Sequence, residues 1–153
     1  MLPVDKIRAV YPAIGDAGFR ALVDNFYRRV EADPFLRPVF PRDLAQGRER
    51  QYLFLCQVFG GPETYSEQHG HPRLRMRHMP FTITREARDL WLGHMLEAIA
   101  ESEISEPHAS VLRDYFERFS LDMINSPRPI PPAILQHAAD PERTTKRLDI
   151  VEP

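Results

Sequence analysis

Cysteine is nearly absent from this sequence, in which Cys56 is the single example. One thiol excludes an internal disulfide and a cluster of thiolate metal ligands, and it suits a reducing compartment. No histidine and acidic residue accompany Cys56 in a pattern that would activate it. We therefore expect Cys56 to be a structural thiol on a helix rather than a nucleophile.

Long apolar runs and an excess of basic charge are absent as well. No segment approaches the roughly 20 apolar residues that a membrane span requires, and the first residues lack the pattern of a signal peptide. Lysine and arginine together number 20, against 22 acidic residues, whereas nucleic-acid-binding domains are typically basic. We expect a soluble, cytoplasmic protein with neither a membrane nor a nucleic acid as a partner.

Proline is plentiful and unevenly placed, with clusters at residues 34–41 and 127–141. From residue 126 onward the sequence is proline-rich and polar with little periodicity, which is typical of extended chain with weak burial. The preceding part is long enough for one domain with a substantial core. We predict a folded domain over residues 1–127 and a weakly structured C-terminal extension over residues 128–153.

Helical periodicity dominates the predicted domain, and strand-like alternation is absent, so we predict an all-α fold. Asp16 is the predicted cap of a first helix that ends before Pro34. Its inward positions are Phe19, Leu22, Val23, Phe26, Tyr27 and Val30. Further helices are predicted over residues 43–59, 74–78, 85–101 and 106–125. Thr84 and Ser105 are the predicted caps of the last two, and Phe119 is predicted to face inward on the final helix.

The inward stripe of the helix predicted over residues 43–59 is interrupted by Gly47 and Gln51. A glycine inside a helix costs about 1 kcal/mol relative to alanine, and a buried amide without partners costs about 1–3 kcal/mol. A pocket would explain both residues, because glycine leaves space and glutamine offers a donor and an acceptor. A Gln51 that is half-exposed, or bonded to another side chain, is the alternative.

His78 follows a connection from Gly60 that is long for a helical domain, and long ordered loops often serve a ligand. Leu74 and Phe81 lie about one helical turn on either side, so we expect the imidazole to face the apolar side with Arg77 at its flank. This arrangement suits a flat apolar cofactor with an axial metal and carboxylates at its edge. A buried, hydrogen-bonded histidine beside a solvated arginine is the alternative.

A zinc site built from His69, His71 and His78 is a further alternative, since imidazole is a common metal ligand. No cysteine or nearby acidic residue completes a familiar zinc spacing, which argues against it. Tyr27 and Trp91 also occupy inward helix positions, where a buried tyrosine hydroxyl needs a polar partner. Taken alone, such residues are more typical of a core than of a site.

The segment GGPETYSEQHGHPRLRMRHMPF at residues 60–81, followed by RDLWL at residues 88–92, resembles the group II truncated haemoglobins. The segment FYRRVEADPFLRPVFP at residues 26–41 is similar to the first core helix and following turn of that family. The resemblance extends from about Tyr11 to Pro127. It implies a two-on-two helical sandwich in which a long approach to the iron ligand is expected.

The resemblance also implies a haem b cofactor and roles for individual residues. His78 is identified as the proximal iron ligand, and Tyr27 and Trp91 as distal donors to a diatomic molecule in the pocket. Gln51 falls on the polar position that faces the sixth coordination site, and Gly47 on the small residue one turn earlier. The predicted haem contacts are Phe40, Arg50, Phe54, Tyr65, Arg77, His78, Phe81 and Trp91, of which Arg77, Tyr65 and Arg50 are the predicted partners of the propionates.

By the same resemblance, the small-molecule partners are O2, nitric oxide, CO or peroxide. Three donors in a dry pocket predict tight O2 binding with slow release, which argues against simple oxygen delivery. Two activities stay open, reaction of O2 with nitric oxide to give nitrate and peroxide-driven oxidation, each with a separate reductase as partner. The alternatives are a non-catalytic haem-based sensor and a cofactor-free interaction module that docks through the proline-rich extension. A monomer or a homodimer is expected.

Overall fold

The computed structural model describes residues 2–74, 76 and 83–125. Six α-helices have described bounds, and the residues described contain no strand, so the predicted all-α fold is confirmed. The helices are α1 (Val4–Arg8), α2 (Val10–Ala32), α3 (Ala45–Val58), α4 (Thr64–His69), α5 (Arg85–Glu101) and α6 (His108–Met123). A single 3-10 turn, Arg37–Val39, lies between α2 and α3.

The long helix α2 supplies the centre of the core. Its six predicted inward residues are all fully buried, as the periodicity indicated. One face of α2 packs against α3 and another against α5, and α5 in turn packs against α6. Four long helices therefore enclose the aromatic interior, while α4 packs on α3.

The beginning of α2 differs from the prediction. The helix starts at Val10 rather than after Asp16, but it bends at Gly15, whose φ of 67° lies in the left-handed region that glycine adopts without strain. The Asp16 carboxylate accepts hydrogen bonds from the hydroxyls of Tyr11 (2.5 Å) and Tyr52 (3.1 Å). The predicted helix start thus corresponds to a bend, and Asp16 joins α2 to α3.

Two further expectations about local structure were incomplete. The connection after Gly60 contains α4, which the sequence analysis treated as loop because six residues are too few to show helical periodicity. The backbone is helical again at Leu74 and Met76, in agreement with the short helix predicted from residue 74. The remainder of that predicted helix, residues 75, 77 and 78, lies outside the described residues.

The caps of the last two helices differ in outcome. Thr84 caps α5 as predicted, because its hydroxyl accepts the Ala87 amide at 3.1 Å. The predicted cap at Ser105 is wrong: α6 begins at His108 without a capping hydroxyl, and the Glu106 carboxylate instead accepts the Ser110 amide at 3.1 Å.

The final helix also leaves one predicted core residue in solvent. Phe119 is 41% exposed and stacks on Tyr115 with ring centroids 4.5 Å apart, so the prediction that it faces inward is wrong. None of the described helices combines the length and apolar character that crossing a bilayer demands.

Candidate functional site

An aromatic group at the junction of α2, α5 and the 3-10 turn forms the first wall of the candidate site. The fully buried Tyr27 ring meets Phe40 edge-on, with centroids 6.1 Å apart, and meets Phe26 in the same way at 5.4 Å. Phe26 in turn contacts Trp91 at 5.3 Å. Of the predicted site residues, Tyr27 therefore contacts Phe40 directly and is linked to Trp91 through Phe26.

The position of Phe40 is fixed by its neighbours in the chain. The Arg37 guanidinium donates to the carbonyl oxygens of Phe40 (3.4 Å), Pro41 (2.7 Å) and Arg42 (2.7 Å). These bonds hold the backbone of residues 40–42 around the Arg37 guanidinium, and the Phe40 side chain is only 2% exposed. The turn before α3 therefore holds an aromatic ring against Tyr27.

A second anchor, Asp33, ties this turn to α5. Its carboxylate accepts the backbone amides of Phe35 (2.8 Å) and Leu36 (3.1 Å), and its other oxygen lies 2.6 Å from Nε2 of His94. Burial alone would raise the pKa of Asp33, but the hydrogen bonds from His94 and from the two amides outweigh it and lower the pKa below its ordinary value. Because His94 lies one turn after Trp91 on α5, the same contact fixes the helix that carries the indole.

Helix α3 supplies the wall that carries Gln51. This side chain is only 2% exposed, and its oxygen Oε1 is buried without a hydrogen-bond partner. Gly47, one turn earlier, is buried as well. The half-exposed alternative for Gln51 is therefore wrong, and none of the side chains that the structure describes satisfies its oxygen. A buried acceptor without a partner is unfavourable by about 1–3 kcal/mol unless something else binds it.

Phe54 and Tyr65 continue the α3 wall toward α4. Phe54 is 4% exposed and Tyr65 is fully buried, and their rings meet edge-on at 5.5 Å. Tyr65 also contacts the ring of His69 at 5.1 Å. Arg50, the other predicted haem contact on this helix, is half-buried. The structure thus groups Phe54 with Tyr65, next to Gln51 along α3.

Arg48 is a residue of this wall that the sequence analysis missed. Its guanidinium carbon lies 5.8 Å from the centroid of the Tyr27 ring, and its Nε is buried without a hydrogen-bond partner. The sequence analysis followed the apolar stripe of α3, and Arg48 lies beside that stripe. The sequence feature that could have identified Arg48 as a site residue was its position between Gly47 and Gln51.

The predicted proximal residues Arg77, His78 and Phe81 lie outside the described residues, so their roles stay predictions. Of the zinc alternative, only His69 and His71 are described. Within the described part of the chain, no three histidine, cysteine or acidic side chains are grouped to hold a metal ion.

Cys56 is placed as a structural thiol on α3, as expected. It is only 4% exposed, and burial raises the pKa of its thiol to about 11, against the smaller opposing effect of its hydrogen bond with Tyr52. A thiol with this pKa is almost entirely protonated at neutral pH and is a poor nucleophile.

Comparisons with known proteins agree on one family. The bacterial-like globin family matches residues 9–125. Group 2 truncated hemoglobin YjbI of Bacillus subtilis is 49% identical over 105 residues, which are 66% of this chain and 80% of that protein. The crystal structure of hemoglobin from Chloroflexus aurantiacus is 56% identical, with a TM-score of 0.75 over 76% of this chain and 98% of that chain.

A further solved structure, described as truncated oxygen-avid haemoglobin from Bacillus subtilis, is 42% identical with a TM-score of 0.73. It covers 76% of this chain and 98% of that chain. The matched region contains every described helix of the candidate site, and the expected two-on-two helical fold is confirmed. The chain therefore belongs to the bacterial-like globins and, within them, to the group II truncated haemoglobins.

Proposed function

We propose that this protein holds haem b and uses it to bind O2 tightly within a buried pocket. Membership of the globin family implies haem and the binding of small diatomic ligands. The type of haem and the preference for O2 are the proposal. When bound, haem would supply an iron that both a side chain of the protein and a small ligand can coordinate.

The observation that carries this proposal is the buried, unpaired oxygen of Gln51. The described residues fit a haem on the distal side, because the Tyr27, Phe40 and Trp91 rings suit a flat apolar group while the Gln51 amide suits a polar ligand. The Gln51 side chain also carries two N–H donors, and the assignment of its oxygen and nitrogen can exchange by rotation. In a core that binds no ligand, this buried amide would add nothing to the stability of the fold.

Three side chains of this chain would hold the ligand. The hydroxyl of Tyr27, the amide of Gln51 and the indole N–H of Trp91 can each donate to the partial negative charge of bound O2. Because the surroundings are buried and aromatic, each hydrogen bond contributes more than it would in water. The description of one structural relative as oxygen-avid supports tight binding here.

On the other side of the haem, His78 is the proposed iron ligand. Phe81 would contact the ring on this side and Phe54 would contact it from the α3 wall, while Arg77, with Tyr65 and Arg50, would bind the propionates. Guanidinium groups suit carboxylates because their N–H donors match both oxygens. The single buried thiol fits a reducing, cytoplasmic location.

Slow release of O2 favours chemistry or sensing over delivery. The reaction with nitric oxide combines one NO, one O2 and one electron to give nitrate, so a reductase is needed to supply that electron. Oxidation by peroxide is the second activity, and a non-catalytic sensor is the third role. Sustained loss of nitric oxide in the presence of O2 and a reductant supports an enzyme, whereas stoichiometric binding without turnover supports a sensor.

Absorption spectra of the purified protein test the cofactor and its ligand together. The ferric, dithionite-reduced and CO-bound forms are recorded for the wild type, His78→Ala and the control His71→Ala. We expect a Soret band with globin-like features in the wild type and the control, altered or lost in His78→Ala. A colourless wild type that takes up no haemin overturns the proposal and leaves a helical interaction module as the better interpretation.

A further inference from the structure

Arg48 differs from the paired arginines of the described helices because its Nε is buried without a hydrogen-bond partner and it has no acidic partner. Five other arginines of these helices bind carboxylates: Arg20 binds Glu49, Arg28 and Arg29 bind Glu101, Arg88 binds Asp89, and Arg113 binds Glu106. No ion pair joins the Arg48 guanidinium to any acidic residue that the structure describes.

The acidic side chains nearest to Arg48 in sequence are engaged elsewhere. Glu49 binds Arg20 at 2.8 Å, and Asp43 accepts the Ala45 amide at 2.9 Å. Arg48 itself is half-buried, with its Nε fully enclosed. A partly desolvated cation without a counter-ion is unfavourable, and it becomes favourable when an anion binds beside it.

The surroundings of Arg48 add to its positive potential. It lies in the first turn of α3, where its own amide is bonded to the Leu44 carbonyl at 2.9 Å. The first turn of a helix carries a partial positive charge that favours anions. The guanidinium carbon is 5.8 Å from the Tyr27 ring centroid, a distance at which a cation and an aromatic ring attract each other. Tyr27, a residue of the candidate site, therefore helps to hold the cation beside that site.

We propose that Arg48 raises the affinity of this pocket, in the ferric protein, for small inorganic anions such as azide or nitrite. The inference rests on the proposed function, because the anion would occupy the site of the diatomic ligand between Tyr27 and Gln51. Arg48 would act by its charge rather than by direct contact, and a unit charge at a separation of about 6–10 Å, at the effective dielectric of a partly buried site, corresponds to roughly ten- to a hundredfold in affinity. Neutral ligands of the same site would not gain this advantage.

Equilibrium titrations of the ferric protein distinguish an effect of the Arg48 charge on ligand binding from an effect of its shape. Azide is the anionic probe and imidazole the neutral probe, both followed by the Soret band at mildly alkaline pH, where imidazole is uncharged. The variants are Arg48→Met, Arg48→Gln and Arg48→Lys. The control is Arg42→Met, which removes the same charge from an exposed residue just before α3.

We expect Arg48→Met and Arg48→Gln to weaken azide binding about tenfold or more while imidazole binding changes by less than about twofold. Arg48→Lys should keep most of the azide affinity, because the charge remains, and Arg42→Met should change neither ligand. Two uncharged replacements are used so that a failure of one to fold does not end the test.

Two results would overturn the inference while the proposed function stands. In the first, the wild type takes up haem and binds both probes, but azide affinity does not depend on Arg48. In the second, azide and imidazole weaken together, which would show that Arg48 only shapes the pocket through its contact with Tyr27. A wild-type protein that takes up no haemin overturns the proposed function and this inference with it.

Discussion

Replacing Asp33 by alanine should destabilise the protein more than any ordinary surface substitution. The carboxylate accepts two backbone amides and contacts His94, and its side chain is only 11% exposed. A hydrogen bond contributes about 1 kcal/mol after exchange with water, and more when one partner is charged. Three such bonds give a loss of roughly 3 kcal/mol in the free energy of unfolding.

Urea unfolding followed by far-UV circular dichroism measures this loss, with wild type and variant matched in haem content. The expected result is a lower midpoint with an unchanged denaturant slope, because the variant exposes the same surface when it unfolds. Asp24→Ala is the matched control, since Asp24 is an exposed carboxylate on α2, the helix that Asp33 directly follows. Its effect should stay within about 0.5 kcal/mol.

The dependence on pH gives this prediction its sharpest test. The pKa of Asp33 is lower in the folded protein than the ordinary pKa of an aspartate. Ionised Asp33 therefore contributes fully to the free energy of unfolding at any pH above the ordinary pKa. This contribution is lost as the pH falls through the pKa of the folded state. The difference between wild type and Asp33→Ala should therefore be constant near neutral pH and shrink in strong acid. A difference below about 1 kcal/mol, or one that persists unchanged in strong acid, would refute the reasoning.

Four further outcomes follow from the structure. Trp91→Phe should speed O2 dissociation in stopped-flow measurements, and an unchanged rate would remove the indole from the ligand network. Cys56 should react with a thiol reagent only when the protein unfolds, because it is buried and its pKa is about 11; rapid labelling of folded protein would contradict this. Gly60→Ala should abolish or severely reduce folding, because the added Cβ would lie 2.0 Å from the Arg8 carbonyl oxygen at a φ of +103°. Gly93→Ala, which meets nothing within 4 Å inside α5, should instead raise the unfolding free energy by up to about 1 kcal/mol.

The regular spacing of apolar residues made the helices, and above all the buried face of α2, predictable from the sequence. The inward residues of α2 recur at helical spacing, and all of them are buried. The stop at Gly60 and the cap at Thr84 were likewise readable, because each is a local signal within a few residues. Phe119 shows the limit of the same reasoning: periodicity gives the face of a helix, but the width of the buried stripe depends on what packs there.

Contacts between residues far apart in the sequence could not be predicted from local sequence patterns. Asp33 and His94 are 61 positions apart, so no spacing rule joins them. Arg48 was missed because an arginine beside an apolar stripe is usually solvated, and only the fold reveals its enclosed Nε. Gln51 was noticed as an interruption, yet its burial had to be observed. The roles of His78 and the domain boundary at residue 127 stay predictions.

The hydrogen bonds between Ile83 and Asn125 bear on the order in which the protein can form during synthesis. The Ile83 amide donates to Oδ1 of Asn125 at 2.7 Å, and the Asn125 amide donates to the Ile83 carbonyl at 2.9 Å. A ribosome delivers Ile83 long before Asn125, so the segment leading into α5 has no such anchor until α6 has been made. A chain truncated just before Asn125 would contain all six helices, yet the segment leading into α5 would never gain these two hydrogen bonds.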